Sequence, residues 1–301
     1  MSSPKPNFVR SIALASVMAS AVLSAGCKED NEVSKEREKT VEVTATKNDE
    51  PTFESLNNTL VAKFDNPGEG QPDSYLDIMY PATAFRLYNN YRTWDETGKD
   101  IAELLTTSVP SDATTAEVFE LGREYGSTSD EFKKHDLSEK ILAQTKSEAE
   151  KVNGNRLVKF LSVPNNSVSL SLGKYNFEEK SFKIDHCLFS DKLKYTKDEA
   201  RFAQNMKGAD QERCYFRTTN TELRIGFVGG SNVRLKVDNV DLARKIENER
   251  GGLKIEVFGY VDSVQRERIG GNLVKERTVL IAPQKLVLID SGNNVIFETN
   301  I

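Results

Sequence analysis

Apolar residues recur along this chain with a spacing that changes twice. Ser11 to Gly26 is an uncharged run of Ala, Ser, Val, Leu, Ile and Met, whereas residues 28–52 hold almost no large apolar side chain. From Phe53 to about Asn155 apolar positions return mainly at helical spacing. A short strand is expected at Thr59 to Phe64 and a turn at Asn66-Pro67-Gly68. Asp73-Ser74 then reads as the N-cap of a helix carrying Tyr75, Ile78 and Met79, which Pro81 interrupts or restarts. Phe85, Leu87, Tyr88 and Tyr91 predict the next helix, Ile101, Leu104 and Leu105 a short one after Gly98, and Val118, Phe119 and Leu121 another ending near Gly126. Ser129 or Asp130 is placed to cap a longer helix that stops at Asn153-Gly154.

Beyond residue 156 the period becomes 2, the signature of strands with one buried face. Val168, Leu170 and Leu172 alternate with serines, and Phe182, Ile184 and His186 alternate with Lys183 and Asp185. Leu223 to Phe227, Val233 to Val237, Leu253 to Val257, Val279 to Ile289 and Val295 to Glu298 repeat the pattern, with Ala282-Pro283 interrupting the fourth. Gly-Gly pairs at 229, 251 and 270 fall where turns are needed. Two short helices are expected within this half, at Asp198 to Met206 and Val240 to Glu249. The expected fold class is α+β, a helical N-terminal part (53–155) packed on a C-terminal antiparallel, meander-rich sheet (156–301).

The first 26 residues read as a leader. Lys5 and Arg10 supply positive charge, the apolar run is about 16 residues against the roughly 20 a membrane span needs, and small residues precede Cys27. An ordinary signal peptidase site with an incidental cysteine would also satisfy this pattern. Leu23-Ser24-Ala25-Gly26-Cys27 resembles the lipobox of bacterial lipoproteins, with Leu23 one place further from the cysteine than usual. The resemblance implies lipidation of Cys27 as the first mature residue. Lys28, a residue other than Asp after the cysteine, implies the outer membrane of a Gram-negative cell, the body facing the periplasm; with a single membrane it implies the outer face of the cytoplasmic membrane. Residues 27–52 mix both charge signs and read as a disordered tether reaching roughly 25 to 30 Å.

Removing the leader leaves about 275 residues, enough for a core without staples. A net charge of -5 and the lack of a Lys/Arg-rich run argue against nucleic-acid partners. Cys187 and Cys214 form an even pair in a chain bound for an oxidising compartment, so a disulfide is the plain reading and two separate buried thiols the alternative.

No motif identifies a reaction. The chain lacks a Walker loop, a GxSxG elbow, an HExxH and a CxxC, and Gly68-Glu69-Gly70 is a loop, since Asp73 stands where a dinucleotide fingerprint needs its third glycine. His186 and Cys187 are adjacent, and neighbours in a strand point to opposite faces, so His186 reads as a core or sheet-edge histidine. No catalytic residue, cofactor or metal ligand set is assigned. Tyr75, Tyr80, Phe85, Tyr88, Tyr91 and Trp94 form the densest aromatic run, either a helical core stripe or a stacking platform for sugar rings; Trp94 and Tyr91 are its ligand-facing candidates. Glu139, Glu148 and Glu150 interleave with Lys140, Lys146 and Lys151 and read as a solvated helix face. The stretch Leu172-Gly173-Lys174-Tyr175-Asn176-Phe177-Glu178, with Phe182 following, resembles a pattern in an uncharacterised family of bacterial domains of unknown function, departing at Asn176 where Asp is more usual. That resemblance implies no activity.

The functional expectation is a membrane-anchored envelope lipoprotein with a non-enzymatic binding or scaffolding role, its partner an envelope protein or a glycan. The alternative is a periplasmic hydrolase acting on cell-wall or lipid material through scattered carboxylates.

Overall fold

Strand β1, Asn58–Lys63, opens the residues whose arrangement is described by this computed structural model: 58–108, 116–165, 168–190, 214–218, 220 and 222–301. All belong to one compact unit, Glu50–Ile301. The leader, Cys27, the tether and the helix expected at Asp198 to Met206 lie outside the described residues.

After β1 come a two-residue strand β2 (Leu76–Asp77) and four helices: α1 (Thr83–Tyr91), α2 (Gly98–Leu105), α3 (Glu117–Ser127) and α4 (Glu131–Glu150). Then follow β3 (Leu157–Ser162), β4 (Ser181–Phe182), β5 (Leu223–Phe227), β6 (Leu235–Lys236), α5 (Val240–Glu249), β7 (Lys254–Ile269), β8 (Asn272–Ile289) and β9 (Val295–Asn300). The fold class is α+β. Local chemistry starts several helices. Thr97 and Asp100 form a capping box for α2, Asp130 accepts from Phe132 N and Lys133 N at the start of α4, and Asn239 accepts from Leu242 N at the start of α5.

The sheet is organised around the long hairpin β7–β8, closed by Gly270-Gly271. Each of these strands is long enough to carry two neighbours end to end: β1 and β3 share the free side of β7, and β5 and β9 that of β8. The hairpin and most flanking pairings are antiparallel; β2–β3 and β5–β8 are short parallel pairings at the margins. Val257, Val261, Val279, Ile281, Leu286 and Leu288 line the buried face and share one apolar cluster with Ile78, Phe85, Leu87 and Tyr88 of the helical half.

Three local expectations are corrected. Residues 75–79 are not helical, because Pro72 sets a single 3-10 turn, Tyr75 leaves it extended (ψ 122°), and Ile78 N then donates to Lys159 O beside β3. The alternations at 168–172 and 182–186 yield only bridges and the short pair β4–β6. Pro283 does not break β8. The register shifts beside it, from Phe258↔Lys285 to Gly259↔Pro283, and bulges of this kind are where strands accommodate proline. Gly259 is required there, since a Cβ would lie 2.4 Å from Ala282 O. The bulged Gln284 turns inward and donates from Nε2 to Asn66 Oδ1 and Gly68 O, holding the 66–68 loop.

Charge also enters the interior. Glu148, expected on a solvated face, is 1% exposed and binds Arg86 of α1 at 2.7 Å, with Lys151 on its other oxygen. More consequential is Glu96, 6% exposed, in the loop before α2. Arg266 and Arg277 are cross-strand partners on the hairpin and both face inward, 3% and 1% exposed. Glu96 lies between them. Its Oε2 accepts from Arg277 Nε (3.0 Å) and Nη2 (2.7 Å), and its Oε1 accepts from Tyr88 Oη (2.6 Å). Oε1 also sits 2.7 Å from Arg266 Nη1, a coulombic contact without hydrogen-bond alignment.

Burial works to raise the Glu96 pKa, but the charges of Arg277 and Arg266 and the bonds from Arg277 and Tyr88 outweigh it and bring it down to about 2. Burial, followed by the charge of Glu96, pushes the Tyr88 phenol well above its ordinary value, so it remains a donor. A carboxylate depressed in the folded state contributes stability that is fully present above its unfolded pKa, near 4.5, and is lost as pH falls toward 2. Glu96→Gln, which leaves Arg277 without a carboxylate and Arg266 with only the more distant Asp100, is expected to lower stability at pH 7 by about 3–5 kcal/mol. Urea unfolding across pH should show the wild-type loss between pH 4.5 and 2 flattened in this variant.

Candidate functional site

A cleft lies where secondary structure is poorest, between the segment 173–190 and the turn 229–234. Gly173 N donates to Lys183 O, and Asn176 exchanges both backbone bonds with Ser181. The Asn176 side chain turns the chain by accepting from Glu178 N and Glu179 N. Short β4 then pairs with β6. His186 is extended and caps a single 3-10 turn, Cys187–Phe189, through Nδ1, which accepts from Leu188 N at 3.2 Å. Phe189 stacks on Phe227 of β5 at 4.8 Å between centroids. Opposite, Gly229 adopts φ +68° and starts the 3-10 turn Gly230–Asn232. Gly230 is pressed so closely on this wall that a Cβ would lie 2.8 Å from Phe189 Cα.

The result is a cleft of about 650 Å³. Ile184, Phe189 and Val233 form its buried apolar lining, with exposed Lys174, Lys183 and Asp185 at the surface. Arg234 is held in place: its Nε meets Glu179 Oε2 at 3.1 Å, and its Nη1 donates to Ser231 O and Val233 O. Lys174 and Lys183 form no ion pair among the described residues. Burial lowers the His186 pKa against the opposing charge of Asp185, so the ring is neutral at pH 7. Because Nδ1 accepts, the proton of the neutral ring resides on Nε2.

The stretch Leu172 to Glu178 separates this cleft from a smaller cavity of about 290 Å³ against α5, and Lys174 lines both. Tyr175 fastens the stretch to α5 and to the residue after β6: its N donates to Glu247 Oε2 and its hydroxyl to Val237 O. Phe177 remains 82% exposed beside it.

Cys187 and Cys214 lie in disulfide geometry, with sulfurs 2.01 Å and Cα atoms 5.2 Å apart. His186 Nδ1 is 3.9 Å from the Cys187 sulfur, so three soft metal-ligating groups cluster here, but both sulfurs are committed to each other. His186, expected in a strand, instead caps the 3-10 turn and stands half-buried in the wall of the cleft. Tyr91 and Trp94 are not brought to either cavity. The Tyr91 hydroxyl donates to Val152 O with its ring against Phe64, Trp94 Nε1 donates to Tyr88 Oη, and both side chains are half-buried. The cleft cations were missed because isolated lysines on an irregular turn follow no period. The signals that could have found them are the Gly229-Gly230 pair and the Leu172–Glu178 stretch.

No protein-family model, no curated protein and no solved structure matches this chain. Among the described residues, no helix is long and apolar enough to cross a membrane.

Two stability outcomes follow from this geometry. Replacing Cys187 and Cys214 together by serine is expected to cost about 3 to 4 kcal/mol on the chain-entropy account of a loop of this length. In urea unfolding, wild-type protein held in a dithiol reductant should drop to the variant's value. Gly230→Ala should cost about 1–3 kcal/mol by overpacking Phe189, and should raise the exchange rate of amides around the cleft in hydrogen-exchange mass spectrometry.

Proposed function

We propose that this chain is a lipid-anchored protein of the cell envelope whose folded body is a non-enzymatic binding module facing the periplasm. The leader ending in Gly26-Cys27 supports the anchor, and the mixed-charge residues 28–52 support a tether between lipid and body. The cleft carries the binding reading. It sets an apolar wall of Ile184, Phe189 and Val233 against a larger polar and charged rim, the make-up of a site for a polar ligand with an apolar face, and its volume lies within the usual small-ligand range of about 300–1,000 Å³. The hydrolase reading is the weaker one. Acid-base cleavage of a glycosidic bond uses two carboxylates across the scissile bond, and the described lining offers one, Asp185.

The test is affinity purification of the full-length protein from gently solubilised membranes, beside Cys27→Ser, with co-purifying proteins and glycans identified by mass spectrometry. Cys27→Ser is expected to lose metabolic labelling by palmitate and to move to the soluble fraction. A stoichiometric partner that the anchorless variant loses is the expected result. Normal membrane attachment with no partner would overturn the binding reading and direct attention to a hydrolase screen.

A further inference from the structure

We infer that the cleft between residues 173–190 and 229–234 binds a saccharide-sized ligand carrying an oxyanion, a phosphate or a carboxylate; this rests on the binding-module reading and names its ligand class. Three cations line the cleft, Lys174, Lys183 and Arg234, against the carboxylates of Asp185 and of Glu179 beside it. The local charge is therefore positive on a chain whose net charge is -5. This excess is not consumed by the fold. Among the described residues Lys174 and Lys183 have no ion-pair partner, and Arg234 is pre-positioned through Nε and Nη1 with no bond there from Nη2. Ammonium and guanidinium donors bind an oxyanion through charge-assisted hydrogen bonds, which are about twice as strong as neutral ones.

The rest of the lining states what the anion is attached to. A cleft of about 650 Å³ is far larger than a bare oxyanion needs. Its buried wall of Ile184, Phe189 and Val233 suits the apolar face of a ring, while Asn176 on the polar side can bond hydroxyls through its amide. Gly230 keeps that wall open, since a side chain there would have to displace Phe189.

The experiment is isothermal titration of the full-length protein in non-ionic micelles at low salt, with glucose 1-phosphate, glucuronate and glucose as probes. The double variant Lys174→Glu/Lys183→Glu is compared with Lys140→Glu/Lys146→Glu, the same charge change on α4. Lys174→Met/Lys183→Met serves as a second cleft variant should the reversal fail to fold by circular dichroism. One or both charged sugars are expected to bind at least tenfold more tightly than glucose and to weaken as salt rises. Which of them binds distinguishes phosphate from carboxylate. Either cleft variant should lose about tenfold or more, while the α4 control stays within about threefold. Equal binding of glucose, affinity retained in the cleft variants, or no binding of either charged sugar at millimolar concentration would overturn the inference. A partner recovered from membranes by wild type and cleft variants alike, without charged-sugar binding, would sink this ligand class while leaving the binding module standing.

Discussion

The buried carboxylate of Glu96 between Arg266 and Arg277 is the interaction on which the relation of helices to sheet depends. Two arginines directly opposed across an antiparallel hairpin repel each other, and neither can be solvated where they are. Glu96, from the loop between α1 and α2, touches both, and the Asp100 carboxylate lies 3.9 Å from Arg266 Nη2. Tyr88 of α1 and the Asp100 carbonyl of α2, which accepts from Arg277 Nη2, complete the set, so one small cluster ties both helices to both hairpin strands. The cluster also guards register: a one-residue slip of either strand would carry its arginine to the opposite face and strand the carboxylate.

That constraint explains why the rest of the sheet tolerates irregularity. With β7 and β8 held in register, β1, β3, β5 and β9 need only match one half of a long strand each. A register shift beside Pro283 then becomes useful, because the bulged Gln284 reaches the 66–68 loop. The cleft sits at the opposite extreme of order. Its walls are turns, two-residue strands and 3-10 segments, fastened by Tyr175, by the Phe189–Phe227 stack and by the Cys187–Cys214 pair. Backbone of this kind leaves charged side chains unpaired at a surface, and it is where binding groups are usually found on a rigid scaffold.

Most helices and parts of the strands were legible because each writes its own period and its own caps, whereas β3 and the halves of β7 and β8 next to the hairpin turn were not read. Phe85, Leu87, Tyr88 and Tyr91 marked α1, Asp130 marked the start of α4, and Leu223 to Phe227 marked β5 almost to the residue. The Tyr75 to Met79 stretch misled because its apolar spacing fits a helix locally, while Ile78 is claimed by a strand some 80 residues away in the chain. Glu148 misled for a related reason. Its lysine neighbours suggest a solvated face, and only the arrival of Arg86 from another helix makes burial affordable.

Of the candidate site, the sequence carried two hints, the glycine pair at 229 and the Leu172–Glu178 stretch, and neither named a ligand. By itself the sequence determined the α+β class, the positions of most helices and of parts of the strands, the even cysteine pair and the leader pattern ending at Cys27, because these depend on periods and neighbours within one segment. The tertiary structure alone decided that Arg266 and Arg277 share Glu96, that Tyr91 and Trp94 pack half-buried away from the cleft, and that Lys174, Lys183 and Arg234 surround it. Those facts depend on which distant segments meet, and the spacing of residues along the chain holds no record of that.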